Sequence, residues 1–275
     1  MPVTLDAVPE TLLWNLYHRA AEARRPDTVL PDPRAVELVD AIDFPFEARF
    51  GTAAPALAQW QALRAACFDR EVRRFLGRHP AGTVVALGEG LETQFWRVDQ
   101  GAVRWIGVDL PEAIALRREL LPGDPRMRLI ACSALDERWL GEVDTANPVL
   151  VTAQGLLMYL ARDDVHRLLT LCATRIAAGG IVFDAVSPRM RDRSGREPAS
   201  PAEGYRPPRW TWAIDRGERR LIGAIPGVAD LETLRLPRGR GVAFRYLVPL
   251  AQSLPPLRNG LLSILRARLG AQRRS

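Results

Sequence analysis

The pattern richest in chemistry is Gly88-Glu89-Gly90, which follows directly on the short β-branched run Thr83 to Leu87 (TVVAL). Glycines at such a turn let the backbone approach a ligand, and a helix that follows aims its free N–H groups at the same place. Asp109 ends the next strand-like run, Arg104 to Val108 (RWIGV). It lies about 20 residues on, the distance at which a carboxylate meets the ribose hydroxyls of a bound nucleotide. A turn glycine pair and a solvated strand-end aspartate are the plainer alternative, but the two features together favour a nucleoside site. A dinucleotide loop asks for G-x-G-x-x-G, and its last position here is Thr93. Thr does not permit the close packing that a pyrophosphate loop uses. The expectation moves from NAD to S-adenosylmethionine, a nucleoside without phosphate.

Other chemistries are excluded by what the chain lacks. All 38 Lys+Arg residues are arginines. Without lysine there is no Walker A loop, no Schiff base for pyridoxal phosphate and no lysine nucleophile. His18, His79 and His166 are far apart, with no HExxH and no cysteine beside them, so no metal site is expected. Cys67, Cys132 and Cys172 show no CxxC spacing and are read as reduced, mostly buried thiols. The net charge of +6 is scattered, with a cluster only at Arg266, Arg268, Arg273 and Arg274. A chain-wide bias for arginine explains it better than a nucleic-acid surface does. The most apolar stretch, Val149 to Ala161, is broken by Thr152, Gln154 and Gly155 and is too short to span a bilayer. Met1 to Glu10 lacks the basic region and apolar run of a signal peptide. The reading therefore expects a cytoplasmic protein, with no nucleic-acid or membrane partner. It leaves a homodimer open.

The elements that must position these residues alternate along the chain. Helical spacing runs from Val8 to Arg25, again after Pro33, and from Pro55 to Gly77. These helices precede the first strong strand, so residues 1–80 are expected as a helical cap. Strands are expected at Thr83–Leu87, Arg104–Val108, Arg126–Cys132, Val149–Ala153 and Ile181–Val186, with helices at Leu91–Val98, Pro111–Leu120 and Asp163–Ala177. Gly179-Gly180 reads as a helix stop before the fifth strand. This βα alternation predicts an α/β fold, a Rossmann-like and mostly parallel sheet covered on both faces, in residues 81–275. Ser187 to Arg209, rich in Pro, Gly, Arg and Ser, reads as a lid inserted at about 187–214. A helix at Asp215–Ile225, a sixth strand at Val228–Leu236 and an antiparallel seventh at Leu261–Leu269 complete the sheet.

Several motifs carry a family resemblance. Gly88 to Arg97 (GEGLETQFWR), Val108-Asp109-Leu110-Pro111, Gln154 to Leu160 (QGLLMYL) and Leu63 to Asp69 (LRAACFD) resemble the leucine carboxyl methyltransferase family, in particular its bacterial polyketide O-methyltransferase branch. The resemblance covers about Pro9 to Val186. It implies a class I methyltransferase that uses S-adenosylmethionine, with Arg64 holding the methionine carboxylate of the cofactor. It implies that Gly88, Glu89, Gly90 and Thr93 form the loop around methionine and ribose, and that Asp109 and Leu110 border the ribose. Ser133, Ala134 and Leu135 would flank the adenine. Gln154 would lie beside the cofactor amine, and Tyr159 would face the reacting centre or simply pack. Three positions depart from the pattern: Glu92 where relatives often have Asp, Gln154 in place of a usual Glu, and Ser133 where an Asp often stands. Two lost carboxylates imply weaker cofactor binding.

Methyl transfer from a sulfonium is an in-line displacement that needs alignment and exclusion of water. A carboxylate acceptor is ionised near neutral pH, whereas a phenol benefits from a base. The expected acceptor is a carboxylate or phenolic hydroxyl on a hydrophobic, polyketide-like small molecule. Arg19 or Arg24 is the candidate partner for a carboxylate, and His18 or His166 the candidate base for a phenol. Two other readings stand beside this one: a catalytically silent module that binds the same cofactor, and an NAD-dependent oxidoreductase.

Overall fold

The computed structural model describes residues 10–194, 205, 207–254 and 262–270. Its centre is a seven-stranded sheet in the order β3-β2-β1-β4-β5-β7-β6. The strands are β1 (Thr83–Leu87), β2 (Arg104–Asp109), β3 (Met127–Ala131), β4 (Val149–Ala153), β5 (Gly179–Ala185), β6 (Val228–Leu234) and β7 (Ser263–Leu269). The first five pair in parallel, while β7 runs antiparallel to β5 and β6. The expected Rossmann-like sheet, with its antiparallel last strand, is the one found.

Both faces of the central strands are buried, which is why β1 and β4 read as unbroken apolar runs. Val85, Leu87, Val151 and Phe183 face one layer, which holds α7 (Arg162–Arg175) and α9 (Arg216–Gly223). Val84, Ala86, Leu150 and Val182 face the other, against Leu63, Cys67, Phe68 and Val72 of α4 (Pro55–Arg78). In front of α4 lie α1 (Glu10–Ala23), α2 (Pro33–Ala41) and α3 (Phe46–Phe50). Leu13, Leu16 and Ala20 of α1 share a cluster with Ala35, Leu38, Phe46, Phe50 and Leu91. Buried Glu22 of α1 pairs with Arg240, whose Nη2 donates to Oε2 at 2.8 Å. The three cysteines are free and buried. Among the described residues no helix is long and apolar enough to cross a membrane.

Several local expectations need correction. α5 (Gln94–Val98) starts three residues later than Leu91, because residues 91–93 form a turn whose Thr93 hydroxyl is held by Asp32. Gly179 and Gly180 do not stop the helix. α7 ends at Arg175 and both glycines lie inside β5, which therefore starts before Ile181. Their role is close approach: a Cβ at Gly179 would lie 1.8 Å from the Val149 carbonyl oxygen, and the residue has φ +137°. α3 was not foreseen, nor was the continuous helical run through Ala243–Leu247 and α10 (Val248–Ser253). The segment read as a loop begins with α8 (Pro188–Arg193), capped by Ser187, whose Oγ accepts the Met190 N–H at 3.3 Å. Tyr205 from the same segment is buried against the cap, its hydroxyl donating to Thr11 Oγ1 at 3.1 Å. The rest of that lid, 195–204 and 206, lies outside the described residues, as do Arg273 and Arg274. Arg266 is paired with Glu71 and Glu232.

Gly179→Ala forces a Cβ into the β4 backbone at a positive φ. It is expected to lower the unfolding free energy by about 2–4 kcal/mol, measured by urea denaturation. A loss below about 1 kcal/mol would mean that the strand pair relaxes around the methyl group.

Candidate cofactor site

A cavity of about 340 Å³ opens at the carboxyl ends of β1, β2 and β4. Ligands collect at this edge of a parallel sheet because the strand order reverses there, between β1 and β4. The turn after β1 supplies Gly88 with φ +64° and Gly90 with φ +48°, conformations that favour glycine. A Cβ on Gly90 would also come within 2.4 Å of Leu12 Cδ2, so α1 closes directly over this turn. Asp109, at the end of β2, holds the turn in place. Its Oδ2 accepts the Gly90 N–H at 2.7 Å and its Oδ1 accepts the Leu110 N–H at 2.8 Å. Burial pushes its carboxyl up, and the two N–H groups act against that. A carboxylate has room for further donors on the cavity side.

Arg64 reaches the cavity from α4 and is clamped by Asp184 of β5, with Nη1 donating to Oδ2 at 3.0 Å. The other Asp184 oxygen accepts the Gly155 N–H at 2.7 Å, so one buried carboxylate fixes both the arginine and the turn after β4. The Nε of Arg64 is buried without a partner. Sequence reasoning missed Asp184. The signal was present in IVFDAV: a carboxylate inside a buried apolar strand requires a cation or several donors.

Beneath the cavity floor lies a buried ionic network centred on Arg97 of α5. Its Nε donates to Asp69 at 2.8 Å, and its Nη1 donates to Asp32 at 2.8 Å, Glu92 at 2.8 Å and Thr93 Oγ1 at 2.7 Å. Burial opposes its charge, but Asp69, Glu92 and Asp32 together hold it strongly protonated. Asp32 caps α2 through the Ala35 N–H, and Asp69 also accepts from Gln94 Nε2. Arg19 of α1 joins through Glu92 at 3.1 Å, the Leu91 carbonyl at 3.1 Å and Asp32 at 3.4 Å. Burial pushes the Glu92 carboxyl up, yet Arg19 and Arg97 bring it down from its usual 4.5 to about 2. At the cavity wall Gln154 Nε2 donates to Glu92 Oε2 at 3.0 Å.

The structure brings Arg64, Gly88, Glu89, Asp109, Leu110, Gln154 and Tyr159 to the lining, along with Arg19, and Gly90 forms the adjoining turn. Within that set, the Glu89 carboxylate serves the interior: its Oε1 accepts from Trp105 Nε1 at 2.9 Å and from Arg117 Nη2 at 2.8 Å. The guanidinium of Arg19 is already engaged in the network. Thr93 is fully buried on Asp32 and does not line the cavity. Ser133, Ala134 and Leu135 follow β3, beside the Asp109 end of β2, and Ser133 is exposed. His18 is buried in the cap, its Nδ1 donating to the Trp14 carbonyl at 2.8 Å, and burial lowers its pKa. His166 binds Glu218 at 2.7 Å, away from the lining. Arg24 pairs with Asp40 on the surface. Leu12, Leu156 and Pro208 make the apolar wall around Tyr159, whose hydroxyl is pushed up by burial. Among the described residues no group of His, Cys, Asp and Glu is placed to hold a metal ion.

The model of the leucine carboxyl methyltransferase family matches residues 13–173, which spans α1, the glycine turn, Asp109 and Gln154. The chain belongs to that family. It is similar to the tetracenomycin polyketide synthesis O-methyltransferase TcmP of Streptomyces glaucescens, 38% identical over 187 residues, with 68% of each chain covered. It is also similar to the S-adenosyl-L-methionine-dependent methyltransferase dpfgK of Gibberella zeae, 32% identical over 65% of each chain. In fold it is like the CurJ carbon methyltransferase, with TM-score 0.53 and 11% identity over 95% of this chain and 68% of that one. A leucine carboxyl methyltransferase family member of this kind takes its methyl group from S-adenosylmethionine.

Arg97→Met leaves Asp32, Asp69 and Glu92 buried without their shared cation. A loss of about 3–5 kcal/mol in urea denaturation is expected. In the wild type the stabilisation from Glu92 is present above pH 4.5 and is lost as the pH falls toward about 2. In the variant the Glu92 carboxyl titrates closer to its usual range, so the stability lost between about pH 4.5 and 2 is smaller, and an unchanged slope of unfolding free energy against pH over that window would contradict the assignment.

Proposed function

We propose that this cavity binds S-adenosylmethionine and that the protein is an O-methyltransferase acting on a carboxylate or phenolic hydroxyl of a hydrophobic, polyketide-like small molecule. The observation that carries the reading is the convergence of Asp109, Arg64 and Gln154 around the Gly88–Gly90 turn, next to an apolar wall. The lining suits the cofactor: three of its residues carry a buried polar atom with no partner within the protein, Arg64 Nε, Glu89 Oε2 and Gln154 Oε1. Bound there, the cofactor supplies a methyl group on a positively charged sulfur. Asp109 would accept the ribose hydroxyls, and Arg64, steadied by Asp184, would hold the methionine carboxylate. Residues 81–275 would be the binding core, with the lid inserted at about 187–214, and residues 1–80 its cap. Ser133, Ala134 and Leu135, which follow β3, would flank the adenine.

On the acceptor side, Leu12, Leu156, Tyr159 and Pro208 would bury an apolar body and exclude water from the displacement. Neither histidine lines the cavity, and the lining carboxylates have other duties: Asp109 holds backbone N–H groups and would take the ribose hydroxyls, Glu92 is held by arginines, and Glu89, which burial pushes up to about 7, is turned toward Trp105 and Arg117. This supports an acceptor that arrives ionised, a carboxylate ahead of a phenol. The similarity to TcmP supports the polyketide-like class and transfer to oxygen.

Calorimetric titration with S-adenosylhomocysteine is expected to show saturable binding, and NADH none. Asp109→Ala is expected to weaken that binding by about 10- to 100-fold, the worth of hydrogen bonds to a charged group, with the native circular dichroism spectrum kept. Incubation with cofactor and a panel of aromatic acids and phenols should yield methyl esters or ethers by mass spectrometry. Unchanged affinity in Asp109→Ala would remove the ribose assignment, and no methylated product across the panel would remove the acceptor class.

A further inference from the structure

The connection between β6 and β7 carries a helix with two apolar sides. Its run, Ala243–Leu247 followed by α10, holds a single charged residue, Arg245. Phe244 and Val248 pack inward on the core that α4 covers, and the Phe244 ring lies 6.4 Å from that of Trp60. Gln252 secures the same side, its Oε1 accepting the Leu236 N–H at 3.2 Å. On the other side Val242, Tyr246, Leu250 and Leu254 recur every fourth residue, with Leu247 beside them, and all five are 44–68% exposed. A helix that is apolar all round is ordinarily buried all round; this one is covered on one side. The charge around the open side has one sign. No Asp or Glu follows Glu232, while the same stretch of sequence holds nine arginines. Arg235 and Arg238, just before the helix, and Arg245 within it are exposed, whereas Arg240 is taken up by Glu22.

That pattern discriminates between occupants. A second copy seated face to face would set each group of arginines against its own image. A stable protein interface takes about 800 Å² from each partner, and five half-exposed side chains offer roughly a few hundred. A lipid surface asks for no minimum area. It takes apolar side chains into the acyl boundary, a tyrosine at headgroup level and arginines against anionic phosphates. The placement adds to this. β7 runs antiparallel to β5, with Ser263 opposite Ala185, and to β6, with Ile264 opposite Leu234. The connection therefore stands at the carboxyl edge of the parallel strands, the edge at which the cavity opens. We propose that this helix is a membrane-contact surface: it lies flat on an anionic bilayer, with Tyr246, Leu247 and Leu250 inserted and Arg235, Arg238 and Arg245 on the phosphates. The contact is peripheral, so it revises the expectation of no membrane partner, which rests on the lack of a spanning segment. It brings the cavity edge of the sheet to the phase in which apolar molecules collect, and it holds whatever the cavity binds.

The test is co-sedimentation of the full chain with two kinds of vesicle, phosphatidylcholine alone and phosphatidylcholine mixed with phosphatidylglycerol. Binding to the mixed vesicles is expected to be about tenfold tighter, or more, than to the neutral ones, and to weaken with added salt. Leu247→Gln combined with Leu250→Gln should reduce it about tenfold or more. Arg238→Gln and Arg245→Gln should each reduce it about fivefold. All four side chains are exposed, so the native circular dichroism spectrum should be kept in every variant. Binding to neither vesicle, equal binding to both, or a double leucine variant that binds as the wild type does would each overturn the proposal. So would light scattering that shows a dimer which the two leucine changes dissociate, because the face would then belong to a second copy.

Discussion

Arg97 is the residue on which the arrangement turns. One guanidinium contacts carboxylates from the start of α2, from α4 and from the turn after β1, and Arg19 of α1 ties into the same set. Each of these groups would be costly to bury alone, since desolvation of a charge is repaid only by close partners. Together they oblige the cap, the sheet-covering helix and the ligand-binding turn to adopt one relative position. The geometry of the cavity is thus set from behind, by ion pairing in the interior.

The chemistry of the site follows from that division. Several polar groups behind the cavity are turned inward, as Glu89 Oε1 is toward Trp105 and Arg117. Others keep spare hydrogen-bonding capacity on residues that line the cavity: Asp109, Arg64 and Gln154. Such a site is preorganised, because its donors and acceptors are held by the protein before a ligand arrives. The apolar wall beside it has the opposite character and suits a substrate that must shed water.

Much of the sheet was legible in the sequence because buried parallel strands are apolar on both faces, and β1 and β4 stand where their runs of Val, Leu and Ala indicate. The glycine turn and Asp109 were legible from spacing alone. What escaped was long-range. Gly179 looks like a helix stop, and only the Val149 carbonyl beside it explains the residue. The ionic partners of Asp32, Asp69 and Asp184 lie tens of residues away, so no local pattern points to them. Arg19 and His18 looked available on a helix, and packing against the core consumed them. Arg64 was legible only through the family resemblance.

The pairing of Glu22 with Arg240 bears on the order of assembly. Glu22 is fully buried, and its arginine lies 218 residues further along the chain. During synthesis α1 emerges 218 residues before the cation that makes its burial tolerable. Until then the carboxylate has only the nearby Val29 amide from within its own segment. Docking of the first helix over the glycine turn is therefore bound to a late event, and a nascent chain stopped short of residue 240 would hold the cavity without a secured roof.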